Sequence, residues 1–413
     1  MNIPTDTWLH IPANSGIRLR AGDPRISEIG SLAVPLVVLE TDGGFQPVWS
    51  TSRLRFCPAD DGLSFEAEGL TCPDTCDTLQ AAVGAYRQAH PLPVKIGPER
   101  PRRFARAVTL DLWHPDGRIL HTYDDARSLV RDLADRGLAD GTLLYLPGWS
   151  APYDMGYPQY RPADELGGPV GFRSLVDKAR GLGTTVMPHL NFWAYDASSG
   201  LLPNHREFQV RGPDGTPMEW PGVLRPGFTN PLAYMRVDDR RWTDVFFSYV
   251  DPLISDFGLQ AVYLDQIGHD VDEGIVSGSQ AMLEHIHTEH PCLTVGAELL
   301  IDFLVPYVDV MQAWGMPWSG IMVDFSQDFS PIARLLYQNS LVFISHIGQP
   351  CAVPAPACWA NYPFITEKGH AAAFKMSQSH NRDVGCVPHI RIAYRSHGLD
   401  AESMRIFEEG NAS

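Results

Sequence analysis

The stretch Gly258-Leu-Gln-Ala-Val-Tyr-Leu-Asp265 decides the fold. It predicts a short apolar strand that ends in a carboxylate, and it follows a helical segment over residues 239–257. The same arrangement returns about one βα repeat later in Leu293-Thr-Val-Gly-Ala-Glu298. Short runs rich in Val, Leu and Ile are typical of parallel strands that are buried on both faces. This part of the chain therefore predicts parallel strands that alternate with helices.

The same rhythm extends from residue 105 to the end of the chain. The predicted strands are 107–112, 142–146, 185–190, 261–264, 293–297, 308–312, 341–345 and 387–392, with helices at 124–136, 171–182, 239–257 and 278–287. Eight strands with intervening helices predict an α/β fold, a (β/α)8 TIM barrel. An open doubly wound sheet is the alternative, but no G-x-G-x-x-G motif follows the first predicted strand.

The first hundred residues have a different pattern. Short strand-like runs at 17–20, 32–40, 45–49 and 63–67 are separated by the turn sequences Thr41-Asp-Gly-Gly and Asp60-Asp-Gly, which favour hairpins. A helix is predicted over 78–88, and a proline-rich linker follows it. We therefore expect a β-rich N-terminal module over residues 1–104 and the barrel over residues 105–413.

Composition excludes several classes of function. The 413 residues include 32 Lys and Arg against 49 Asp and Glu, a net charge of −17, which disfavours nucleic acid and anionic membranes as partners. No apolar run is long enough to span a membrane, and no signal peptide is visible. The seven cysteines form no C-x-x-C pair, so neither a disulfide framework nor a zinc ribbon is expected. A cytoplasmic location is the resulting expectation.

The ends of the predicted strands carry aromatic and polar side chains together. In a (β/α)8 barrel these ends converge on one face, where the active site lies. Sugar rings stack on aromatic faces, and their hydroxyls need polar partners; the alternative is that the tryptophans plug the top of the barrel. The candidate substrate-binding residues are Asp111, Trp149, Tyr157, His189, Asn191, Trp193, Gln266, His269, Trp314 and His346.

Asp265 and Glu298 are the candidate catalytic pair. Each follows an apolar strand, and the spacing puts the two on adjacent strands, facing each other across the pocket. Glycoside hydrolysis needs two carboxyl groups, one ionised and one protonated at neutral pH. An oligosaccharide or a simpler glycoside is therefore the expected substrate, and no metal or cofactor is expected.

The region from Tyr145 to Glu298 resembles the catalytic barrel of the endo-α-N-acetylgalactosaminidases and the glycosidase-like barrel domains grouped beside them. The motifs are Tyr145-Leu-Pro-Gly-Trp149, Tyr157-Pro-Gln-Tyr160, Met187-Pro-His-Leu-Asn191, Phe228-Thr-Asn-Pro231, Val262-Tyr-Leu-Asp265-Gln266 and Gly296-Ala-Glu298. The resemblance implies that Asp265 is the nucleophile and Glu298 the acid/base, with an α configuration retained. This sequence shows neither the accessory domains nor the secretion signal of the large extracellular members, so we expect the mechanism to carry over more readily than the sugar.

Two other functions stay open. A metal-dependent hydrolase could draw its ligands from several strand ends, although the first strand lacks a paired H-x-H; the possible ligands are His114, His189, Asp265, Glu298, His346 and His389. A non-catalytic sugar-binding barrel would keep the tryptophans but would not need both carboxylates.

In the run Glu284-His-Ile-His-Thr-Glu-His290, His285 and His287 diverge on a helix, so a solvated helix end is expected. The sugar, its linkage and the oligomeric state are not determined.

Overall fold

The computed structural model describes residues 2–13, 16–29, 31–32, 34–59, 62–96, 104–115, 117–212, 214–220, 232–267, 273–299, 301–315, 328–345, 385–392 and 407–408. The strands are β1 (Asn2–Pro4), β2 (Trp8–Ile11), β3 (Ile17–Arg20), β4 (Ser31–Leu32), β5 (Leu36–Thr41), β6 (Gly44–Trp49), β7 (Leu54–Ala59), β8 (Gly62–Glu66), β9 (Arg106–Leu110), β10 (Thr142–Leu146), β11 (Thr185–Asn191), β12 (Ala194–Asp196), β13 (Glu219–Trp220), β14 (Leu232–Tyr234), β15 (Ala261–Asp265), β16 (Thr294–Leu299), β17 (Val310–Gly315), β18 (Val342–Ile344) and β19 (His389–Ile392). The α-helices are α1 (Leu79–Ala89), α2 (Tyr123–Asp135), α3 (Gly168–Gly181), α4 (Arg240–Phe257), α5 (Glu273–Glu289) and α6 (Ile332–Tyr337). Within these ranges no helix combines the length and the apolar character needed to cross a bilayer.

Eight parallel strands form the barrel. Their order is β18-β17-β16-β15-β11-β10-β9-β19, and every neighbouring pair is parallel. A bridge between Phe343 and Cys386 joins the two ends of the sheet, where the Val387 N–H donates to the Phe343 carbonyl at 2.9 Å. The predicted (β/α)8 barrel is therefore confirmed.

The interior of the barrel is filled by side chains from alternate positions along its strands. This cluster consists of Phe104, Ala107, Leu143, Tyr145, Met187, Ala261, Tyr263, Val310 and Ile344. Gly296 of β16 completes it: a Cβ there would lie 3.0 Å from Met187 Sδ and 3.0 Å from Tyr263 Cδ2, so the side chains of these two neighbours occupy the space. Because side chains alternate along a strand, the next inward positions toward the mouth are His189, Asp265, Glu298 and Gln312.

Local signals place these strands. Gly258 ends α4 in the left-handed conformation at φ 61°, and its N–H donates to the carbonyls of the last helical turn. Glycine is favoured at this position because it carries no Cβ. The chain therefore leaves α4 directly into β15. The helix α2 begins with a capping box of Thr122 and Asp125, which satisfies two free backbone N–H groups at its start.

The N-terminal region forms two four-stranded antiparallel sheets, β1-β8-β7-β4 and β3-β2-β5-β6. The strands β1, β2 and β7 were not predicted, because they are short and lack a clear apolar alternation. Helix α1 packs these sheets against α6, and Tyr86 and Leu336 share one hydrophobic cluster. Arg87 adds a two-pronged pair with Asp302 at 2.9 and 3.0 Å. We keep the proposed domain boundary at residue 104.

Candidate active site

Asp265 and Glu298 lie side by side at the mouth of the barrel. Asp265 ends β15, and Glu298 occupies the next position on β16 after the pair Leu264 and Ala297. Adjacent strands are about 4.8 Å apart, so their inward side chains share one pocket. Both residues are buried, with 7% and 6% of their surface exposed.

Backbone and amide donors hold this pair in place. The Gln266 N–H donates to Glu298 Oε2 at 2.9 Å, and Gln266 has a positive φ of 59°. Asn191 Nδ2 donates both to Asp265 Oδ2 at 3.2 Å and to Gln266 Oε1 at 2.9 Å. Sparsely populated backbone conformations concentrate at functional sites. One network of four residues therefore orients both carboxyl groups.

A second network runs beneath Asp265. His189 Nδ1 lies 2.6 Å from the Tyr145 hydroxyl, and Nε2 lies 3.0 Å from the Tyr157 hydroxyl. The Tyr157 hydroxyl donates to Asp154 Oδ1 at 3.2 Å. Its oxygen therefore accepts the proton on His189 Nε2, which leaves Nδ1 to accept from Tyr145. Asp265 Oδ2 is 3.8 Å from His189 Nε2, beyond hydrogen-bond distance, so the hydrogen-bond network ends at Asp154 and lies next to Asp265.

Three carboxyl groups share this buried pocket. Burial raises the pKa of Glu298 and of Asp154 to about 7 each. Burial, followed by the nearby charges of Glu298 and Asp154, raises the pKa of Asp265 well above its usual range. Burial lowers the pKa of His189 to about 3, so its imidazole is neutral at pH 7. Like charges this close cannot all be ionised, and the site therefore retains at least one proton near neutrality.

Asp154, His189 and Asp265 each offer a ligand atom within 4.8 Å of the others, the spacing that a metal ion would need. Both ring nitrogens of His189, however, are engaged by tyrosine hydroxyls. A metal at Nε2 would have to break the bond to Tyr157. The residues therefore suit a hydrogen-bonded network better than a metal centre.

Trp149 occupies the core instead of a pocket wall. It is 1% exposed, its Nε1 donates to the His189 carbonyl at 2.8 Å, and its ring stacks on Phe172 with the centroids 5.1 Å apart. The ring is therefore covered on the Phe172 side, and the expected stacking role of Trp149 stays a prediction. Trp193 stacks on Tyr234 at 4.5 Å, and its Nε1 is buried without a partner in the described structure.

Asp111 is likewise committed to a structural contact. Both of its carboxylate oxygens accept hydrogen bonds from the Arg391 guanidinium, at 2.7 and 3.0 Å. The two residues are 2% and 1% exposed. This pair joins β19 to the chain just after β9, and the expected role of Asp111 as a partner for substrate hydroxyls stays a prediction. His389 is also structural, because its ring nitrogens contact Thr109 Oγ1 and Ser345 Oγ.

Other candidates lie partly or wholly outside the described residues. His269, His346 and the motif Phe228-Thr-Asn-Pro231 fall there, and only the backbone of Trp314, within β17, is described. The sequence reasoning missed Asp154, although the loop 151–160 that carries it is long. It also missed Tyr145, Tyr263 and Gln312, which inward alternation along their strands could have indicated.

Comparisons with known proteins place this geometry among known folds. A family described as a domain of unknown function (DUF6259) matches residues 139–276, less than half of the chain. No curated protein sequence matches. Among solved structures, the α-N-acetylgalactosaminidase of Bifidobacterium bifidum is similar with a TM-score of 0.68 and 15% identity, covering 99% of this chain and 74% of that one.

Two further structures show the same likeness. An α-galactosidase from Thermus thermophilus has a TM-score of 0.62 and 11% identity, covering 100% of this chain and 87% of that one. A dextranase from Flavobacterium johnsoniae has a TM-score of 0.63 and 10% identity, covering 99% and 53%. Identity this low shows the fold alone. By fold, this chain is thus a barrel of the kind found in the catalytic domains of glycoside hydrolases, as its motifs implied.

Proposed function

We propose that the protein is a glycoside hydrolase that cleaves an α-linked sugar with Asp265 as nucleophile and Glu298 as acid/base. The observation that carries this proposal is the pair itself. Two buried carboxyl groups lie on neighbouring strands at the mouth of the barrel and retain a proton near neutral pH. Retaining glycosidases use two such groups about 5–5.5 Å apart.

The division of roles follows the resemblance of the motifs, and one contact supports it. Asn191 Nδ2 donates to Asp265 Oδ2, and this hydrogen bond lowers the pKa of Asp265 against the rise caused by burial and by the charges of Glu298 and Asp154. The pKa of Glu298, raised to about 7 by burial, matches the value at which a group can both give and take a proton near neutrality.

The reaction then has two balanced steps. In the first, an Asp265 oxygen bonds to the anomeric carbon while the bond to the leaving oxygen breaks, and Glu298 gives that oxygen its proton. In the second, Glu298 takes a proton from water, the water oxygen bonds to the anomeric carbon, and the bond to Asp265 breaks. Together, the two steps return both carboxyl groups to their starting states, and the configuration at the anomeric carbon is retained.

The substrate-binding residues are also part of the proposal. His189, Asn191 and Gln266 lie beside the pair, and Tyr157 bonds to His189. These residues would contact the sugar ring, together with Trp193, His269, Trp314 and His346. Asp154 joins them because its carboxyl group lies at the end of the network through Tyr157. An α linkage is favoured by the similar structures, which are an α-N-acetylgalactosaminidase and an α-galactosidase.

The test is hydrolysis of a panel of nitrophenyl α- and β-glycosides by the wild type, by Asp265→Asn and by the control Asp177→Asn. Asp177 is an exposed residue of α3. We expect one α-glycoside to be cleaved, with turnover lost in Asp265→Asn and kept in the control. Unchanged turnover in Asp265→Asn would overturn the assignment. Activity that a chelator removes and added metal restores would favour the metal-dependent hydrolase instead.

A further inference from the structure

Three buried donors near the candidate pair have no hydrogen-bond partner in the described structure. They are Trp193 Nε1, the Tyr263 hydroxyl and Gln312 Nε2, on residues that are 2%, 0% and 1% exposed. Buried polar groups in folded proteins are almost always paired, because an unpaired one loses its bonds to water without compensation. Such atoms need an explanation, and a bound ligand supplies one.

Tyr263 and Gln312 flank Glu298 on the inner wall of the barrel. Tyr263 precedes Asp265 by two positions on β15 and pairs with Gly296, two positions before Glu298. Gln312 follows Met311, which pairs with Ala297 on β16, and the register of the two strands shifts at the next position. Gln312 therefore lies on the strand next to Glu298, one residue past the level of Ala297. Burial, and then the charge of Glu298, raises the pKa of Tyr263 well above its usual range, so its hydroxyl stays protonated and able to donate.

The neighbouring tyrosines are paired. Tyr145 and Tyr157 bond to His189, and Tyr160 donates to the Asn191 carbonyl at 2.7 Å. The fold therefore satisfies the phenol groups on the Asn191 side of the pocket. The unpaired hydroxyl and amide lie on the Glu298 side, where no protein acceptor has been provided among the described residues.

We infer that Tyr263 and Gln312 are substrate-positioning residues that donate to acceptor oxygens of a sugar ring bound between Asp265 and Glu298. This inference rests on the proposed function and deepens it. The ligand class is a polyhydroxylated ring with oxygen substituents directed into the barrel on the Glu298 side. A sugar that lacks those oxygens would leave both donors unpaired and is rejected for that reason.

The test compares Tyr263→Phe and Gln312→Met with the control Tyr195→Phe. Both test changes remove an unpaired polar group and keep the shape, whereas the Tyr195 hydroxyl accepts from the Leu202 N–H at 2.8 Å. We expect the Tm of the two unliganded test variants to equal or exceed that of the wild type. Their kcat/KM should fall about tenfold to a hundredfold, the usual worth of one lost hydrogen bond of this kind. The control should lose Tm and keep kcat/KM.

Each result decides the inference. A lower Tm in both test variants would show that the two groups have protein partners and would overturn it. An equal or higher Tm with unchanged kcat/KM would overturn it as well. If the wild type cleaves no glycoside, the proposed function fails, and free aldohexoses become the probe. A sugar-induced rise in Tm that both variants lose would keep the inference, and no rise, or the same rise in all proteins, would overturn it.

Discussion

Replacing Glu298 by Gln should stabilise the folded protein at neutral and higher pH. Burial raises the pKa of this carboxyl from 4.5 to about 7, so the folded state holds a proton that the unfolded chain releases. A carboxyl group whose pKa is higher in the folded state makes its full contribution to stability at a pH below its pKa in the unfolded chain. This contribution is lost as the pH rises through the pKa of the folded state. A shift of this size corresponds to about 3 kcal/mol. Gln cannot ionise, and its side-chain oxygen can still accept from the Gln266 N–H.

The assay is urea unfolding of the wild type and of Glu298→Gln at pH 5 and pH 8. We expect the stability advantage of the variant to be small at pH 5 and to grow by about 2–3 kcal/mol at pH 8. The control Glu165→Gln changes an exposed glutamate and should show no such growth. An advantage of equal size at both pH values would refute the reasoning. In the same samples, kcat should fall by roughly 10²–10⁴ in Glu298→Gln, because the general acid is gone.

Three further changes follow from contacts in the barrel. Asp111→Asn breaks the buried two-pronged pair with Arg391 and should lower the free energy of unfolding by about 3–5 kcal/mol; a calorimetric Tm close to that of the wild type would contradict this. Asp154→Asn removes a charge that raises the pKa of Glu298, so the alkaline limb of the pH profile of kcat/KM should move to lower pH. An alkaline limb at the same pH as in the wild type would show that Asp154 does not influence the pKa of Glu298. Gly296→Ala places a methyl group 3.0 Å from its neighbours and should cost about 1–3 kcal/mol of stability in denaturant titrations, and a neutral effect would show that the interior has room.

The local pattern of the sequence was sufficient for the eight strands of the barrel and for helices α2 to α5, whereas α6 and the short strands β12 to β14 were not predicted. The predicted strand 142–146 coincides with β10, and the predicted strand 261–264 falls one residue short of β15. Apolar runs and helix ends depend only on residues that are close in the sequence, so they can be recognised without knowledge of the fold. In the N-terminal region, β1 and β7 were missed because short antiparallel strands depend on the partner strand.

The positions of Asp265 and Glu298 also follow from the sequence. A carboxylate that directly follows a buried parallel strand reaches the mouth of a barrel because the strand itself carries it there. Their adjacency, which the spacing predicted, appears as neighbouring positions on β15 and β16. The roles of the two residues as nucleophile and acid/base stay predictions.

Only the tertiary structure decided which of the other side chains enter the pocket. A tryptophan shortly after a strand can turn either way, and Trp149 turns onto Phe172 while its Nε1 bonds to a backbone carbonyl. Asp111 meets Arg391 because closure of the barrel brings β19 beside β9, 280 positions apart in sequence. Asp154 reaches the pair through a loop contact. The sequence determines elements because local forces form them, whereas long-range closure and loop packing determine which polar groups are paired and which remain available to a ligand.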